Sequence, residues 1–206
     1  MEINRTGGQL LIESLQQQGT DHVFCVPGES FLSALDGLHG MESIRTVICR
    51  QEGGAAMMAD AYGKLTHRPG VCFVSRGPGA SNAASGIHIA SQDSTPLVMF
   101  VGQIERSTTG REAFQEIDYR AMFGYAAKRV EQIEDVDRIP EVVSRAFHTA
   151  VNGRAGPVVV ALPEDMLRDT TTAAPVALFR RVEPAPGAAA VAALEDRLTA
   201  ARQPIL

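Results

Sequence analysis

Ile48-Cys49-Arg50-Gln51-Glu52-Gly53-Gly54-Ala55-Ala56 is the stretch on which the fold turns. The apolar run leading into it, Thr46-Val47-Ile48-Cys49, reads as a buried strand. The small residues that follow, from Gly53 to about Thr66, open a helix. Glu52 therefore stands where a strand hands over to a helix, and open α/β sheets form their ligand crevices at that end of their strands. A carboxylate there also complements the positive end of the helix macrodipole, a role that needs no ligand. Yet no Lys or Arg follows until Lys64, so a buried Glu52 needs some other partner.

Outward from this centre the same alternation repeats. Strands are expected over 22–26, ended by Pro27-Gly28, and over 71–74, delivered into Arg76-Gly77-Pro78-Gly79-Ala80-Ser81-Asn82. A fourth is expected over 96–101, broken by Gly102. Helices are expected over 8–18 through Leu10, Leu11, Ile12 and Leu15, over 30–38 with Phe31, Leu32, Leu35 and Leu38 facing inward, and over 80–90. These first four strands recur about every twenty-five residues, the length of a βα unit. Residues 103–118 break the rhythm: they are polar and aperiodic, and a loop of that length in a compact domain is functional or mobile. A short fifth strand over 126–130, an amphipathic helix over 136–151 and a strongly apolar sixth strand over 156–163 complete the pattern. The fold class implied is α/β, with a six-stranded, mainly parallel sheet and helices on both faces.

Past Asp165 the composition changes. Residues 1–167 make one domain, 168–187 a Pro/Ala/Thr-rich linker, and 188–206 a helix and the beginning of a strand. That tail is expected to be the start of a truncated second domain in a longer polypeptide. The 206 residues are 45% hydrophobic and carry a net charge of −5 with no Lys/Arg cluster, which excludes a nucleic-acid surface. No apolar signal core opens the chain and no segment is long enough to span a bilayer, so a cytoplasmic protein without membrane contact is expected. Cys25, Cys49 and Cys72, widely spaced and each in or beside an apolar strand, read as small buried thiols. The five histidines show no metal-ligand spacing.

Gly77-Pro78-Gly79 between strand and helix suits close backbone approach to a ligand, or equally an ordinary tight turn with Pro78 near the helix start. It is a poor dinucleotide fingerprint, since Asn82 stands where a small residue is expected. There is no nucleoside-triphosphate loop, and Gly79-Ala80-Ser81-Asn82-Ala83 lacks the second glycine of a nucleophile elbow.

What remains is an ordered set: Val26-Pro27-Gly28, Arg50 through Tyr62, Gly77 through Asn82, Asp93-Ser94-Thr95-Pro96-Leu97-Val98, Gly102-Gln103, Ala113 through Asp118, and Gly156-Pro157-Val158-Val159 with Leu162-Pro163. In order and spacing it closely resembles the pyrimidine-binding domain of thiamine-diphosphate enzymes, nearest to acetolactate synthase, over nearly the whole chain to about Leu167. The resemblance implies that Glu52 hydrogen-bonds the aminopyrimidine of thiamine diphosphate and assists its deprotonation. It implies that Pro27, Gly28 and Pro78 line the ring with Asn82 beside it, and that Phe114 and Gln115 face the substrate, Gln115 with a catalytic role. The cofactor serves as electron sink for a 2-keto acid. Mg²⁺ and the diphosphate would be held by another domain through a Gly-Asp-Gly motif that this chain lacks, so no metal ligand is expected here. The resemblance also admits FAD, and it implies a homodimer or homotetramer. Gln51 and Gly53 flank the glutamate where the synthases generally carry His and Gln, and Arg76 replaces a small residue before Gly77. No histidine lies near Gly77 or Gly102, where simple decarboxylases place theirs, so carboligation is expected over aldehyde release. The competing reading is a non-catalytic binding or interaction module of the same fold, which has no need of Glu52.

Overall fold

Strand side chains alternate between two apolar environments, and that alternation generates three layers. The computed structural model describes residues 4–205. In chain order they form β1 (Arg5–Thr6), α1 (Gly7–Gln17), β2 (His22–Cys25), α2 (Leu32–Leu38), β3 (Arg45–Ile48), α3 (Glu52–Thr66), β4 (Gly70–Val74) and α4 (Pro78–Gln92). There follow β5 (Leu97–Gln103), α5 (Tyr119–Phe123), β6 (Arg129–Gln132), α6 (Ile139–Val151), β7 (Pro157–Pro163), α7 (Glu164–Arg168), β8 (Thr170–Thr171) and α8 (Ala188–Ala200). Six strands make one sheet in the order β3-β2-β4-β5-β7-β6, every neighbouring pair parallel. Val23, Cys25, Phe73, Phe100 and Val160 face a core closed by α1, α2 and α6. Their neighbours Phe24, Cys72, Val74, Met99 and Val159 face a second core under α3, α4 and α5. The α/β class with helices on both faces is thus borne out.

Local chemistry accounts for the helices. Thr6 caps α1 in a reciprocal box with Gln9, and Leu10, Leu11, Ile12 and Leu15 are all fully buried. Pro78 occupies the first turn of α4, where its missing N–H leaves no bond unmade. The chain leaves β2 towards β3 on one side and resumes with β4 on the other. The strand order therefore reverses between β2 and β4, the place where such sheets bind ligands.

Several details differ from expectation. β3 is a half-exposed edge strand, with Ile48 60% exposed, because only β2 flanks it. The expected fifth strand over 126–130 is displaced to Arg129–Gln132, since Ala126 and Ala127 turn back onto the Phe123 carbonyl after α5. The helix over 30–38 begins as a 3₁₀ turn, Glu29–Phe31, and this rotates Leu32 out to solvent. β5 runs past Gly102 to a buried Gln103. Residues 203–205 pair with no strand, and Leu206 lies outside the described residues, as do Met1, Glu2 and Ile3. The short pair of β1 with β8 was not anticipated. Residues 172–187 carry no helix or strand, although Gln18 bonds the backbone at Val176, Ala177 and Phe179. The three cysteines are free and buried, and burial pushes the Cys25 thiol up to about 12 and the Cys72 thiol further still, so both are inert. Among the described residues no helix is long and apolar enough to cross a membrane.

Candidate functional site

The carboxyl ends of β2, β3 and β4 converge on one group of side chains. Glu52 is the first residue of α3, set there because the extended Gln51 caps the helix by accepting from the Gly54 N–H at 2.8 Å. Its carboxylate is half-buried and accepts a 2.9 Å hydrogen bond from Asn82 Nδ2 on the second turn of α4. The partner that the sequence required for Glu52 is thus an amide and not a cation. The helices stand close enough for this because Gly86 leaves no side chain against Ala56: a Cβ there would lie 2.5 Å from the Ala56 Cβ.

The floor of the crevice is backbone. A Cβ on Gly79 would sit 3.5 Å from Glu52 Oε1 and 3.4 Å from the Ser75 Cβ, and one on Gly28 would sit 2.7 Å from that same Ser75 Cβ. Gly28, Ser75, Gly79, Glu52 and Asn82 are therefore contiguous. Pro27 and Pro78 are exposed at the crevice rim. Gln115 arrives from the loop before α5 and presses on Gly77: both have positive φ, 65° and 58°, and a Gly77 Cβ would meet the Gln115 Cβ at 2.8 Å. Phe114 beside it is 75% exposed.

The loop over 103–118 is ordered by specific bonds. Glu116 accepts from the Gly110 and Ala113 N–H groups, which hold its carboxyl below the usual range. Tyr119 is fully buried; its hydroxyl donates to the Gly102 carbonyl at 2.9 Å and accepts from the Gly77 N–H at 3.3 Å. Burial pushes that phenol up to about 12 against the opposing Gly77 bond. Tyr119, Ser75 and the capping role of Gln51 went unnoticed in the sequence; only the spacing of Tyr119 behind Asp118, its helix cap, hinted at a fixed position. A groove of about 420 Å³ opens further along the sheet between Gln103, Ile117, Tyr119 and Gln132, and none of the predicted site residues lines it. Among the described residues no cluster of His, Cys, Asp and Glu could hold a metal ion.

An open parallel sheet with a carboxylate-bearing, glycine-floored crevice at its switch point defines a small-molecule-binding α/β domain. The chain belongs to the family described as thiamine pyrophosphate enzyme, N-terminal TPP binding domain, whose sequence profile matches residues 5–122. It is 38% identical over 162 residues to acetolactate synthase 3, chloroplastic, of Brassica napus, covering 79% of this chain and 25% of that protein. It is 37% identical over 166 residues to the acetolactate synthase large subunit of Lactococcus lactis, covering 81% and 29%. Against acetolactate synthase isozyme 3 large subunit of Escherichia coli the identity is 41% over 162 residues, covering 79% and 28%. The chain thus spans less than a third of the length of these relatives.

Proposed function

We propose that this chain is the pyrimidine-binding part of a thiamine-diphosphate-dependent carboligase that acts on 2-keto acids, as acetolactate synthase does. The observation that carries the proposal is the Glu52–Asn82 pair over the glycine floor. An aminopyrimidine offers a ring nitrogen with which a carboxyl group can share a proton, and a flat face that can lie against bare backbone. Glu52 keeps one carboxylate oxygen on Asn82, and Gly28 and Gly79 supply the surface, so the residues fit that half of the cofactor.

When bound, thiamine diphosphate supplies the electron sink for decarboxylating and joining 2-keto acids. In this proposal Glu52 would hold the aminopyrimidine by sharing a proton with its ring nitrogen, the acid–base role of this chain. Asn82 fixes the carboxylate in place, while Pro27, Gly28 and Pro78 flank the ring. Gln115 and Phe114 face the substrate from the loop. No residue of this chain is assigned to Mg²⁺ or FAD; Mg²⁺ and the diphosphate belong to a part of a longer polypeptide, with residues 1–167 as one domain, 168–187 as its linker and 188–206 as the start of the next domain. The second half of the site comes from another subunit of a homodimer or homotetramer in a cytoplasmic enzyme. In support, Met57, Ala61 and Leu65 leave one face of α3 apolar and exposed along the helix that Glu52 begins, and Ile48 and Met58 are exposed as well.

The test is formation of acetolactate from pyruvate by the full-length gene product that carries this chain, with and without thiamine diphosphate and Mg²⁺. Cofactor-dependent product is expected. Absence of any cofactor-dependent CO₂ release from pyruvate, 2-ketobutyrate or benzoylformate overturns the proposal. Residues 1–206 alone are expected to bind the cofactor weakly, because the diphosphate stays in solvent; micromolar, Mg²⁺-dependent binding in calorimetry would refute the half-site.

A further inference from the structure

Arg76 is the departure from pattern that the proposed chemistry leaves unused, and it stands at the switch point itself. Its backbone N–H donates to Ser30 Oγ, which also meets Ser75 Oγ at 3.0 Å, so the residue is pinned where β2 and β4 end. The side chain is only 10% exposed. Nη1 donates to Glu164 Oε2 at 3.2 Å, beyond the end of β7, and Nη2 donates to Glu29 Oε1 at 3.0 Å, just past Gly28. Nε is buried and has no partner among the described residues.

The two carboxylates are not equivalent. Glu164 is 28% exposed and also accepts from Arg168, which in turn reaches Glu105. Glu29 is 68% exposed, and its side chain makes no hydrogen bond other than that to Arg76 among the described residues. Glu164 keeps the buried guanidinium neutralised, whereas Glu29 is an exchangeable lid, since an exposed ion pair contributes little. Glu29 also engages the guanidinium at one point only, through Nη2. In an arginine Nη2 and Nε present parallel N–H groups on one edge, the fork that a planar carboxylate fills with both oxygens. A free carboxylate in the place of the Glu29 carboxylate would have two oxygens to offer that edge, one for Nη2 and one for the unpartnered Nε. A cleft of about 70 Å³ is lined by both carboxylates, Glu29 and Glu164, with Leu32 and Arg168, and Arg76 lies behind them outside its lining.

We propose that Arg76 is a carboxylate-binding, specificity-determining residue, with Glu29 holding the guanidinium until a small monocarboxylate displaces it. That the carboxylate belongs to a 2-keto acid rests on the function proposed above; the binding edge itself lies wholly within this chain.

The experiment uses the 206-residue chain labelled with ¹⁵N-arginine. The Arg76 Nε–H resonance is identified by its loss in Arg76→Lys and its shift in Glu29→Gln, and pyruvate is the probe, with methyl pyruvate as the uncharged control. Pyruvate is expected to move that resonance saturably with a dissociation constant on the order of millimolar, and Glu29→Gln to tighten it about threefold to fivefold, the scale of one exposed ion pair. Methyl pyruvate should leave the resonance still. Absence of a saturable shift up to about 100 mM pyruvate in both wild type and Glu29→Gln, a range that covers weak binding, overturns the proposal. So does an equal response to the ester, or an unchanged affinity in Glu29→Gln. Glu29 is exposed, so its variant folds and decides the matter even if Arg76→Lys does not. The readout needs no thiamine diphosphate, which keeps its failure separate from failure of the carboligase reading.

Discussion

At Glu52, substitution by Gln keeps the side-chain shape, the place at the head of α3 and an oxygen for Asn82, and removes only a proton that can be shared. In the full-length protein Glu52→Gln is expected to slow proton–deuterium exchange at C2 of bound thiamine diphosphate by about a hundredfold or more. The melting temperature should barely move, since only a modest helix-dipole contribution is lost. Exchange at the wild-type rate with cofactor bound would reduce Glu52 to a helix-start residue. Tyr119 offers a second test at this scale. Tyr119→Phe keeps the ring stacked on Phe123, 6.3 Å between centroids, but strands the buried Gly77 N–H. A loss of about 1–3 kcal/mol in urea unfolding is expected near neutral pH. Because the folded phenol is raised to about 12, the native state holds that proton more tightly than the unfolded chain. Wild type should therefore lose roughly 2–3 kcal/mol more than the Phe variant as pH rises from about 10 towards 12, on top of the loss that the buried Cys25 and Cys72 thiols give both proteins.

Helices α3 and α4 cross closely enough that one methyl group separates a working pair from a broken one. Gly86→Ala puts a Cβ 2.5 Å from the Ala56 Cβ, so the helices must part and the Glu52–Asn82 bond must lengthen. A destabilisation of about 1–3 kcal/mol is expected from thermal melts, the usual scale of overpacking; an unchanged melt would show that the crossing has slack. Elements like these were legible in the sequence to differing degrees, for physical reasons. β4, β5 and β7 are buried on both faces, so they read as apolar runs and their limits came out nearly right. β3 has the same kind of apolar run but lies at the edge, and nothing local in Thr46-Val47-Ile48 reports a missing neighbour. β6 slipped because its pairing with β7 selects Arg129–Gln132 over the more apolar residues before it. Glu52, Asn82 and the Gly77 turn were readable because strand-to-helix junctions are local. Arg76 with Glu164, 88 residues apart, was not, since only the folded sheet brings those strand ends together.

For the molecule as a whole, acid is the condition that loosens the joint between β2 and α3. Burial alone would raise the Asp21 carboxyl, but hydrogen bonds from Tyr62, His22 and Arg68 outweigh it and bring it down to about 2. Its contribution is thus present above about pH 4 and disappears as pH falls towards 2. The side chain is 45% exposed, so screening holds that contribution below about 1 kcal/mol. Asp21→Asn should be the less stable protein at pH 6 and match wild type near pH 2; parallel stability curves across that range would refute the assignment. The antiparallel pairing of β1 with β8 has a different consequence. Arg5 lies opposite Thr171 across one backbone ladder, about 5 Å away as in any such pair. The polypeptide between them is in effect a ring with a single small gap, and a ring has no privileged first residue. Bridging residues 4 and 172 with a few glycines and cutting at Gly40, an open turn where a Cβ would meet nothing within 4 Å, should give a permuted chain with the same circular dichroism and cooperative melt. The order in which the six strands are synthesised would then prove separable from the order in which they stand.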